Sequence, residues 1–532
     1  MGTDPEEVLD VIVVGAGLGG IYATHKLREL EFRTACFEAA SGVGGVWLHN
    51  SYPGARVDVE SIDYCYMFDE DLYRSWQWSE RFATQPEILA YLNHVVDYFG
   101  LREAIKLEHR VVNAQWDPDA ARYDVMTSDG VIHKSRFLVM ATGNLSEPRR
   151  PDFAGLDSFQ GECHLTSAWP SEPVQFESRR VGVVGTGSSG VQVVTALAPV
   201  AEQLFVFQRS PNYSVPARNV KRDDRLSALA DQGVTVREAL WELPNPVRAL
   251  HPGKRFEEYT ESERVSRLER QWASGAHEMA VVFADQATDP AVNAVVANFV
   301  RSKIHETVTD QRVAAALSPT DHPIGSRRLI IDTGYYESFN RENVHLVDLR
   351  TEPLLQFTRS GLATVTREYE LDAVVLALGF NAFSGSLLGA QVRNQRGDIL
   401  AADWADGPRT FFGIMSDRFP NLFFLTGPGS PSVLSNLFAM NELHVEWVTA
   451  LLDAMRRDGH RSVVPMTRAV DDWGCEVQEA ARGLLRLDVS NYMVRVTRSG
   501  ERVFMPWAAG FHSYRDRLLA MTAAHYAGLS FD

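Results

Sequence analysis

Residues 11–20 read VIVVGAGLGG, and this stretch decides the fold. The β-branched run at 11–14 is typical of a buried strand in a parallel sheet. Residues 21–30 carry apolar side chains at helical spacing, and residues 34–38 predict a second strand that ends in an acid. The order strand, glycine turn, helix and strand indicates a βαβ unit that binds a dinucleotide.

The glycine turn has the spacing Gly-x-Gly-x-x-Gly. Gly15 permits the tight bend, Gly17 lets a pyrophosphate approach the backbone, and Gly20 lets the helix pack closely on the strand. The N-terminus of the helix then faces the anion. The context supports this interpretation, because the turn follows a predicted strand and opens a predicted helix.

The same plan returns at residues 180–190, which read RVGVVGTGSSG. A helix is predicted at residues 191–200 and a strand at residues 204–207. The predicted contacts to this second nucleotide are Gly185, Gly187, Ser188, Ser189, Gly190 and Gln192. Two such units in one chain indicate two dinucleotide-binding domains rather than a repeat array.

The residue that closes each unit predicts the ligand. Glu38 can accept hydrogen bonds from both hydroxyls of an adenosine ribose, so the first site is expected to hold FAD or NAD. Arg209 is suited to bind a 2′-phosphate as a fork, whereas a carboxylate would repel that phosphate. The second site is therefore expected to hold NADPH rather than NADH.

The composition bounds the class of protein. The chain has 532 residues, of which 45% are hydrophobic and 23% charged, as in globular proteins of several domains. A formal net charge of −17 argues against nucleic acid and anionic membranes as partners. Four scattered cysteines predict neither a disulfide framework nor a metal site. An acidic N-terminus without signal-peptide features predicts a cytoplasmic location.

These patterns predict an α/β fold with two Rossmann-like dinucleotide-binding domains, one for FAD and one for NADP, and a helical insertion in the NADP domain. The insertion is charge-rich and lacks clear strands, and residues 261–273 and 290–307 in it have helical spacing. Short strands are predicted after it at residues 329–331, 344–347 and 373–376. The predicted limits are 1–147 for the first part of the FAD domain, 148–220 for the first part of the NADP domain, 221–325 for the insertion, 326–379 for the second part of the NADP domain, and 380–532 for the second part of the FAD domain with the C-terminal region.

Further motifs favour a flavin at the first site. Residues 137–143 read FLVMATG, residues 372–379 read DAVVLALG, and residues 421–430 read NLFFLTGPGS. The last stretch resembles the late strand of flavoproteins with two dinucleotides, whose following helix points at the isoalloxazine. Residues 42–47 read GVGGVW, without the cysteine pair of a flavoprotein disulfide reductase, which excludes that class.

The chain resembles the Baeyer–Villiger monooxygenases, a class of flavoprotein monooxygenases that includes phenylacetone and cyclohexanone monooxygenase. The resemblance covers nearly the whole sequence. It is carried by residues 42–47, 52–58 (YPGARVD), 64–66 (YCY), 85–88 (QPEI), 207–210 (FQRS), 327–329 (RRL), 427–432 (GPGSPS) and 502–505 (RVFM).

The resemblance implies the roles of several residues. Arg328 matches the catalytic arginine, and Asp58 matches the carboxylate that pairs with it. The implied contacts to FAD, together with the first glycine turn, are Glu38, Gly45, Val46, Trp47, Asp58, Tyr64, Val111, Asn144 and Leu437. Arg327 and Ser210 are expected to join Arg209 at the NADP phosphate. Val433, Leu437 and Phe438 are expected to line the substrate pocket.

Two departures from the family pattern bear on function. In the signature Phe-x-Gly-x-x-x-His-x-x-x-Trp-Pro, Leu165 occupies the position of the histidine and His164 stands one residue early. Near the C-terminus, Asn491 stands where the family has a tryptophan that contacts the nicotinamide nucleotide. These replacements affect the retention of NADP⁺ and the segment that joins the two domains.

The resemblance implies an NADPH- and O₂-dependent FAD monooxygenase that inserts oxygen beside a ketone carbonyl through a C4a-peroxyflavin. Its partners are then O₂ and a small ketone. An N- or S-oxygenating flavin monooxygenase remains an alternative, as does a flavin-binding protein without turnover. The sequence predicts neither the size of the ketone nor the oligomeric state.

Overall fold

A computed structural model describes residues 8–221, 236–243, 245–247 and 253–532. The seven N-terminal residues, on which the expectation of no signal peptide rests, lie outside these ranges. So do parts of the predicted insertion.

The first βαβ unit forms as predicted, with one shift. Its first strand is fully buried at Val11, Ile12 and Val13, as expected for a parallel strand covered on both faces. The helix begins at Leu18, three residues earlier than predicted, because Gly17 is its N-cap. No side chain caps this helix, so its first N–H groups remain for an anion.

In chain order the strands are β1 Val8–Val14, β2 Thr34–Phe37, β3 Ile105–Lys106, β4 Val111–Asp117, β5 Arg122–Thr127, β6 Ile132–Met140, β7 Glu162–Leu165, β8 Arg180–Val184, β9 Gln203–Gln208, β10 Ser214–Pro216, β11 Ile330–Asp332, β12 Val344–Asp348, β13 Leu354–Phe357, β14 Gly361–Thr364, β15 Glu368–Glu370, β16 Ala373–Leu376, β17 Val392–Arg393, β18 Leu422–Phe424, β19 Val463–Pro465, β20 Val494–Val496, β21 Arg502–Phe504 and β22 Leu529–Phe531.

Two large sheets organise the molecule. The first has the order β17-β4-β5-β6-β1-β2-β3, and β18 also pairs with β6. In it, β1 runs parallel to β2 and β6, whereas β4, β5 and β6 form an antiparallel meander. The second sheet is fully parallel with the order β12-β9-β8-β16-β7. Each sheet carries one glycine turn at the carboxyl end of a central strand.

The helices in chain order are α1 Leu18–Glu29, α2 Val46–His49, α3 Glu70–Ser75, α4 Gln85–Tyr98, α5 Ser188–Leu197, α6 Val236–Trp241, α7 Glu261–Ser274, α8 Pro290–Thr307, α9 Gln311–Leu317, α10 Tyr335–Ser338, α11 Gly385–Gly389, α12 Leu400–Asp403, α13 Leu437–Asp458, α14 Thr467–Ala480 and α15 Gly510–Ala523. No helix among the described residues is long and apolar enough to cross a membrane.

The region predicted as an insertion is helical where the structure describes it. Between residues 236 and 325 it contains α6 to α9, and no sheet strand is found among its described residues. α8 has the predicted bounds, because Asp289 caps its first turn and Pro290 stands at its first position. The domain limits themselves stay a prediction.

The insertion is anchored on α13 by a buried acid. Glu442 is 1% exposed, accepts the backbone N–H of Met67 at 2.7 Å and forms an ion pair with Arg237 at 3.0 Å. Arg237 also pairs with Glu446 and lies 4.1 Å from the ring of Trp241. Burial raises the pKa of Glu442 to about 7, although Arg237 acts against this rise.

The chain crosses between the two sheets twice, and the crossings are hydrogen-bonded to each other. The outward crossing follows β6 and the return follows β16. Arg149 N–H donates to the carbonyl of Gly379 at 3.1 Å, and Asn381 N–H donates to the carbonyl of Glu147 at 2.9 Å. The two segments therefore form a short antiparallel ribbon between the sheets.

Candidate functional site

The first glycine turn has the shape of a nucleotide cradle. Gly15 has φ +101°, and a Cβ there would lie 2.7 Å from the carbonyl oxygen of Ala141. At Gly20 a Cβ would lie 1.7 Å from the carbonyl oxygen of Gly15, so the helix packs too closely for any side chain. At Gly17 a Cβ would meet only Gly45, at 3.6 Å and beyond. The turn is thus closed toward the protein and open where a pyrophosphate is expected.

Glu38 lies at the carboxyl end of β2, beside this cradle. Its two carboxylate oxygens accept the backbone N–H groups of Ala16 at 2.6 Å and Ala40 at 2.8 Å. The residue is 8% exposed. Each oxygen keeps a further lone pair, so the carboxylate is fixed in place and can still accept ribose hydroxyls.

The other predicted FAD contacts lie on several different elements of the chain. Trp47 Nε1 donates to the hydroxyl of Tyr64 at 3.2 Å, and both belong to the segment that follows the Gly45–Val46 turn. The amide of Asn144 donates to Ser432 at 2.7 Å. The remaining two stand at element starts, Val111 at the start of β4 and Leu437 at the start of α13.

The second glycine turn repeats the geometry and is more open. Gly185 has φ +104°, and a Cβ there would lie 2.6 Å from the carbonyl oxygen of Ala377. A Cβ at Gly190 would lie 2.0 Å from the carbonyl oxygen of Gly185, whereas one at Gly187 would meet no atom within 4 Å. No side chain caps α5, and Ser188 and Ser189 form its first turn. These residues fit a bound dinucleotide phosphate.

Arg209 and Arg327 differ in their surroundings. Arg209 is exposed at the end of β9 and has no hydrogen-bond or ion-pair partner among the described residues. Arg327 lies 3.6 Å from Asp321 and donates to the carbonyl of Ser490 at 3.4 Å. The backbone carbonyl of Ser210 accepts the hydroxyl of the glycine-turn residue Thr186 at 3.2 Å, which ties the strand end to the turn.

Gln192 serves a packing role that was not predicted. Its side-chain oxygen accepts the hydroxyl of Tyr52 at 2.8 Å, and its amide donates to the carbonyl of Arg56 at 3.1 Å. A Cβ on Gly54 would lie 2.6 Å from the carbonyl oxygen of Gln192. The segment at residues 52–56 therefore packs directly on α5 of the second unit.

Arg328 and Asp58 meet as a bidentate pair. Arg328 Nε donates to Asp58 Oδ2 at 2.6 Å, and Arg328 Nη2 donates to Oδ1 at 2.8 Å. Arg328 Nη1 donates to the backbone carbonyl of Val433 at 3.0 Å. The fork geometry fixes the guanidinium plane relative to the carboxylate. The pair brings together segments 270 residues apart, as the family resemblance predicted.

The electrostatics keep both groups charged. Burial acts to raise the pKa of Asp58, but Arg328 and then His277 outweigh it and hold this pKa far below its usual range. Burial acts to lower the pKa of Arg328, but the Asp58 carboxylate outweighs it and raises the pKa further above its usual value. The guanidinium is therefore permanently cationic.

The three predicted pocket residues differ in location. Phe438 is 1% exposed and its ring lies 4.9 Å from that of Tyr64 and 4.7 Å from that of Tyr66, so it belongs to the core. Val433 is buried, and its carbonyl rather than its side chain contacts Arg328. Leu437 is half-buried at the start of α13 and keeps the most accessible side chain of the three.

The altered signature segment forms the edge strand β7. Successive side chains of a strand point to opposite faces, so His164 and Leu165 face different sides. The ring of His164 lies 5.3 Å from that of Trp169, and its Nε2 is 3.1 Å from Glu162. Leu165 packs on the other side against the cluster that contains Val184. His164 therefore does not take the place of the missing histidine.

Asn491, at the second departure, braces its own loop. Its amide donates to the backbone carbonyls of Arg486 at 2.9 Å and Val489 at 3.0 Å, and its oxygen accepts the N–H of Met493 at 2.9 Å. All three bonds are local to residues 486–493. The side chain thus fixes the loop backbone and has no indole surface to offer a nucleotide.

Two residues near the ion pair were not predicted, Tyr492 and His277. His277 belongs to the short 3₁₀ helix Ala276–Ala280 of the insertion, and its Nε2 lies 3.6 Å from Asp58 Oδ2. A single histidine in a helical, charge-rich region gives no spacing signal, so the sequence pattern offered no way to find it.

The comparisons with known proteins agree with this geometry. Residues 9–224 match the family model for flavin-binding monooxygenase-like proteins. The Baeyer–Villiger monooxygenase of Pseudooceanicola batsensis is 37% identical over 98% of this chain and 96% of its own. The phenazine N-monooxygenase of Lysobacter antibioticus is 36% identical over 98% and 96%.

Solved structures that match this chain are also monooxygenases. An oxidized steroid monooxygenase bound to NADP has a TM-score of 0.94 and 44% sequence identity, and the match covers 99% of each chain. OTEMO in complex with FAD and NADP has a TM-score of 0.95 and 33% identity, with all of each chain covered.

Two dinucleotide cradles joined by a guanidinium–carboxylate pair, with these matches, define a flavin-dependent monooxygenase that uses FAD and NADP(H). Because curated relatives above 30% identity match nearly its whole length, the chain belongs to the Baeyer–Villiger monooxygenase family. The predictions of fold class, enzyme class and both cofactors are confirmed.

Proposed function

We propose that this enzyme uses NADPH and O₂ to insert one oxygen atom beside the carbonyl of a ketone, which yields an ester or a lactone. Bound FAD and NADPH supply the electrons and the oxygen-transfer chemistry. The observation that carries the proposal is the Arg328–Asp58 pair, which links the two dinucleotide-binding units with a fixed positive charge.

Arg328 stabilises the negative charge that develops during oxygen transfer. A guanidinium has five N–H donors, and three are used by Asp58 and the Val433 carbonyl. The Tyr492 side chain also interacts with this guanidinium, and the donors that it leaves free can serve an oxygen anion or the ketone oxygen as an oxygen nucleophile adds to the carbonyl. Such preorganised donors act most strongly in a site that excludes water.

Arginine also suits the reaction because it does not release its proton at working pH. A lysine or histidine in its place would neutralise an anionic oxygen nucleophile by proton transfer. Asp58 is a positioning residue: its carboxylate fixes the plane of the guanidinium and holds its charge.

The nucleotide contacts follow from the two cradles. Glu38 would hold the ribose of FAD, with Gly17 at the pyrophosphate. Gly187 would take the pyrophosphate of NADPH, and Arg209 with Arg327 its 2′-phosphate. Support for Arg209 comes from its exposed guanidinium, which has no protein partner among the described residues.

Oxygenation of nitrogen is the second candidate, because one relative is named a phenazine N-monooxygenase. The altered signature keeps this candidate open, since the position of the family's histidine here carries the aliphatic side chain of Leu165, which packs against a hydrophobic cluster. The ketone reaction has the larger support, because the charged pair suits an anionic nucleophile.

The test uses the FAD-loaded enzyme with NADPH and ¹⁸O₂, offered a cyclic ketone, a thioether or phenazine in separate reactions. We expect an ester or lactone with one ¹⁸O atom. Arg328→Ala is expected to lower ester formation by about 10²–10³-fold, while NADPH still reduces the flavin at a similar rate. An Arg328→Ala variant that forms ester at the wild-type rate would contradict the role of this residue. N-oxide without ester would support the second candidate.

A further inference from the structure

The predicted catalytic pair has a neighbour from the helical insertion. The side chain of His277 is 15% exposed, and its Nε2 lies 3.6 Å from Asp58 Oδ2. The same oxygen accepts Arg328 Nε at 2.6 Å. Asp58 therefore lies between a guanidinium from the second dinucleotide unit and an imidazole from the insertion.

His277 Nε2 has no other partner. It is buried and makes no hydrogen bond with any described residue, and a buried polar atom of this kind carries a free-energy cost. A histidine kept only for packing would be expected to satisfy its nitrogen elsewhere. The gap of 3.6 Å is slightly longer than a direct hydrogen bond, and catalytic hydrogen bonds often shorten once ligands fill a site.

The segment that carries His277 is held firmly. A Cβ on Gly275 would lie 2.3 Å from the carbonyl oxygen of Pro216, so the backbone packs directly on β10. Arg81 donates to the carbonyl of Ser274 at 2.9 Å, and Met279 is fully buried. The imidazole thus approaches Asp58 from a backbone that is held by contacts independent of Arg328.

We propose that His277 is a positioning residue, which holds the carboxylate of Asp58, and through it the guanidinium of Arg328, in the orientation needed for oxygen transfer. A bidentate Arg–Asp pair alone can shift as one unit. A third contact from a separate element removes that freedom, and it makes the placement of the insertion a condition for oxygenation. The inference rests on the proposed function.

The test compares His277→Phe, which keeps ring volume but removes both nitrogens, with His277→Gln, which restores a donor at similar reach. The matched control is His305→Phe, at an exposed histidine of the same insertion. Each FAD-loaded variant is assayed for ester formed and hydrogen peroxide released per NADPH oxidised, and for the rate of anaerobic flavin reduction.

For His277→Phe we expect ester per NADPH to fall about tenfold and hydrogen peroxide to rise, because a small displacement of a catalytic group is costly. Flavin reduction and the KM for NADPH should stay within about twofold, since the residue acts only on oxygen transfer. His277→Gln should recover most of the ester yield. A crystal structure of His277→Phe should show the Asp58 carboxylate displaced from its bidentate pairing with Arg328.

Unchanged coupling in His277→Phe, or equal losses in His277→Gln and His277→Phe, would overturn the inference. A wild-type enzyme that makes no ester from any ketone would instead overturn the proposed function. In that case the crystal structure of His277→Phe still decides whether His277 holds Asp58.

Discussion

The two glycine turns share one backbone plan but differ in how closely protein groups surround the expected nucleotide site. At the first turn, Glu38 is buried and fixed by two backbone N–H groups, and Gly45 packs against Gly17. At the second turn, Arg209 is exposed and has no hydrogen-bond or ion-pair partner among the described residues. A Cβ built on Gly187 would have no atom within 4 Å. The first turn is the more enclosed of the two, which suits a resident cofactor, and the second is more open, which suits a nucleotide that exchanges in each turnover.

The largest expected effect comes from valine in each cradle. Gly17 and Gly187 have φ −82° and −78° with extended ψ, so a side chain causes no backbone strain there. We expect Gly17→Val to purify without FAD, because its side chain would fill the enclosed cradle. Gly187→Val should keep FAD but lose reduction by NADPH. The flavin absorbance and the anaerobic reduction rate measure the two outcomes.

As a folding control, FAD is removed from the wild type and from both variants, and we expect the three melting curves to be similar. If Gly17→Val retained FAD at the wild-type stoichiometry, the contrast between an enclosed and an open cradle would be lost.

An intermediate effect is expected at Arg209. Loss of a charge-assisted contact to phosphate costs about 1.5–3 kcal/mol, so Arg209→Ala should raise the KM for NADPH by about 10–100-fold. The KM for NADH should not change, because NADH lacks the 2′-phosphate. The matched control is Arg179→Ala, since Arg179 precedes β8 at the amino end of the strands of the same sheet, whereas Arg209 follows β9 at their carboxyl end. Equal effects on both nucleotides would contradict the assignment.

The smallest expected effect is on the pH dependence of stability. It concerns Glu442, a buried acid on α13. The folded pKa of Glu442, about 7, lies above its ordinary value of 4.5, so the folded state binds the extra proton. The resulting stability is full below about pH 4.5 and is lost as the pH rises toward 7. We expect the melting temperature of the wild type to fall relative to that of Glu442→Gln across this window.

Other groups do not disturb that comparison. The pKa of Asp58 is depressed, so its contribution is lost only as the pH falls below its ordinary value of 3.8. Burial lowers the pKa of His444 to about 3, and this acts equally in both proteins. Glu479→Gln, at an exposed pair with Arg482, should show no such difference. If the melting temperatures of wild type and Glu442→Gln changed in parallel with pH, the claim that folded Glu442 binds an extra proton would be wrong.

Local patterns predicted the elements that carry the cradles. β8 and β16 have the predicted bounds, and α8 matches its predicted range because its cap and proline are explicit in the sequence. α1 and α5 begin three residues earlier than predicted, because glycine turns provide their N-caps and small residues hide the apolar spacing. β4 and β5 were not predicted, although the alternating burial of β5 follows a strand period.

The site was predicted only where a family motif named its residues. The meeting of Arg328 with Asp58 follows from resemblance, since no local pattern links residues so far apart. Phe438 was expected in the pocket and lies in the core, because a position after a glycine turn does not specify which way the helix faces. The approach of His277 to Asp58 depends on how the insertion packs against the rest of the molecule, and helical spacing within the insertion does not specify that packing.

The paired crossings between the sheets constrain how nicotinamide and flavin can meet. Since the outgoing and returning strands are bonded at Arg149–Gly379 and Asn381–Glu147, neither can flex alone. Any hinge between the two sheets would therefore have to bend both segments of this ribbon together.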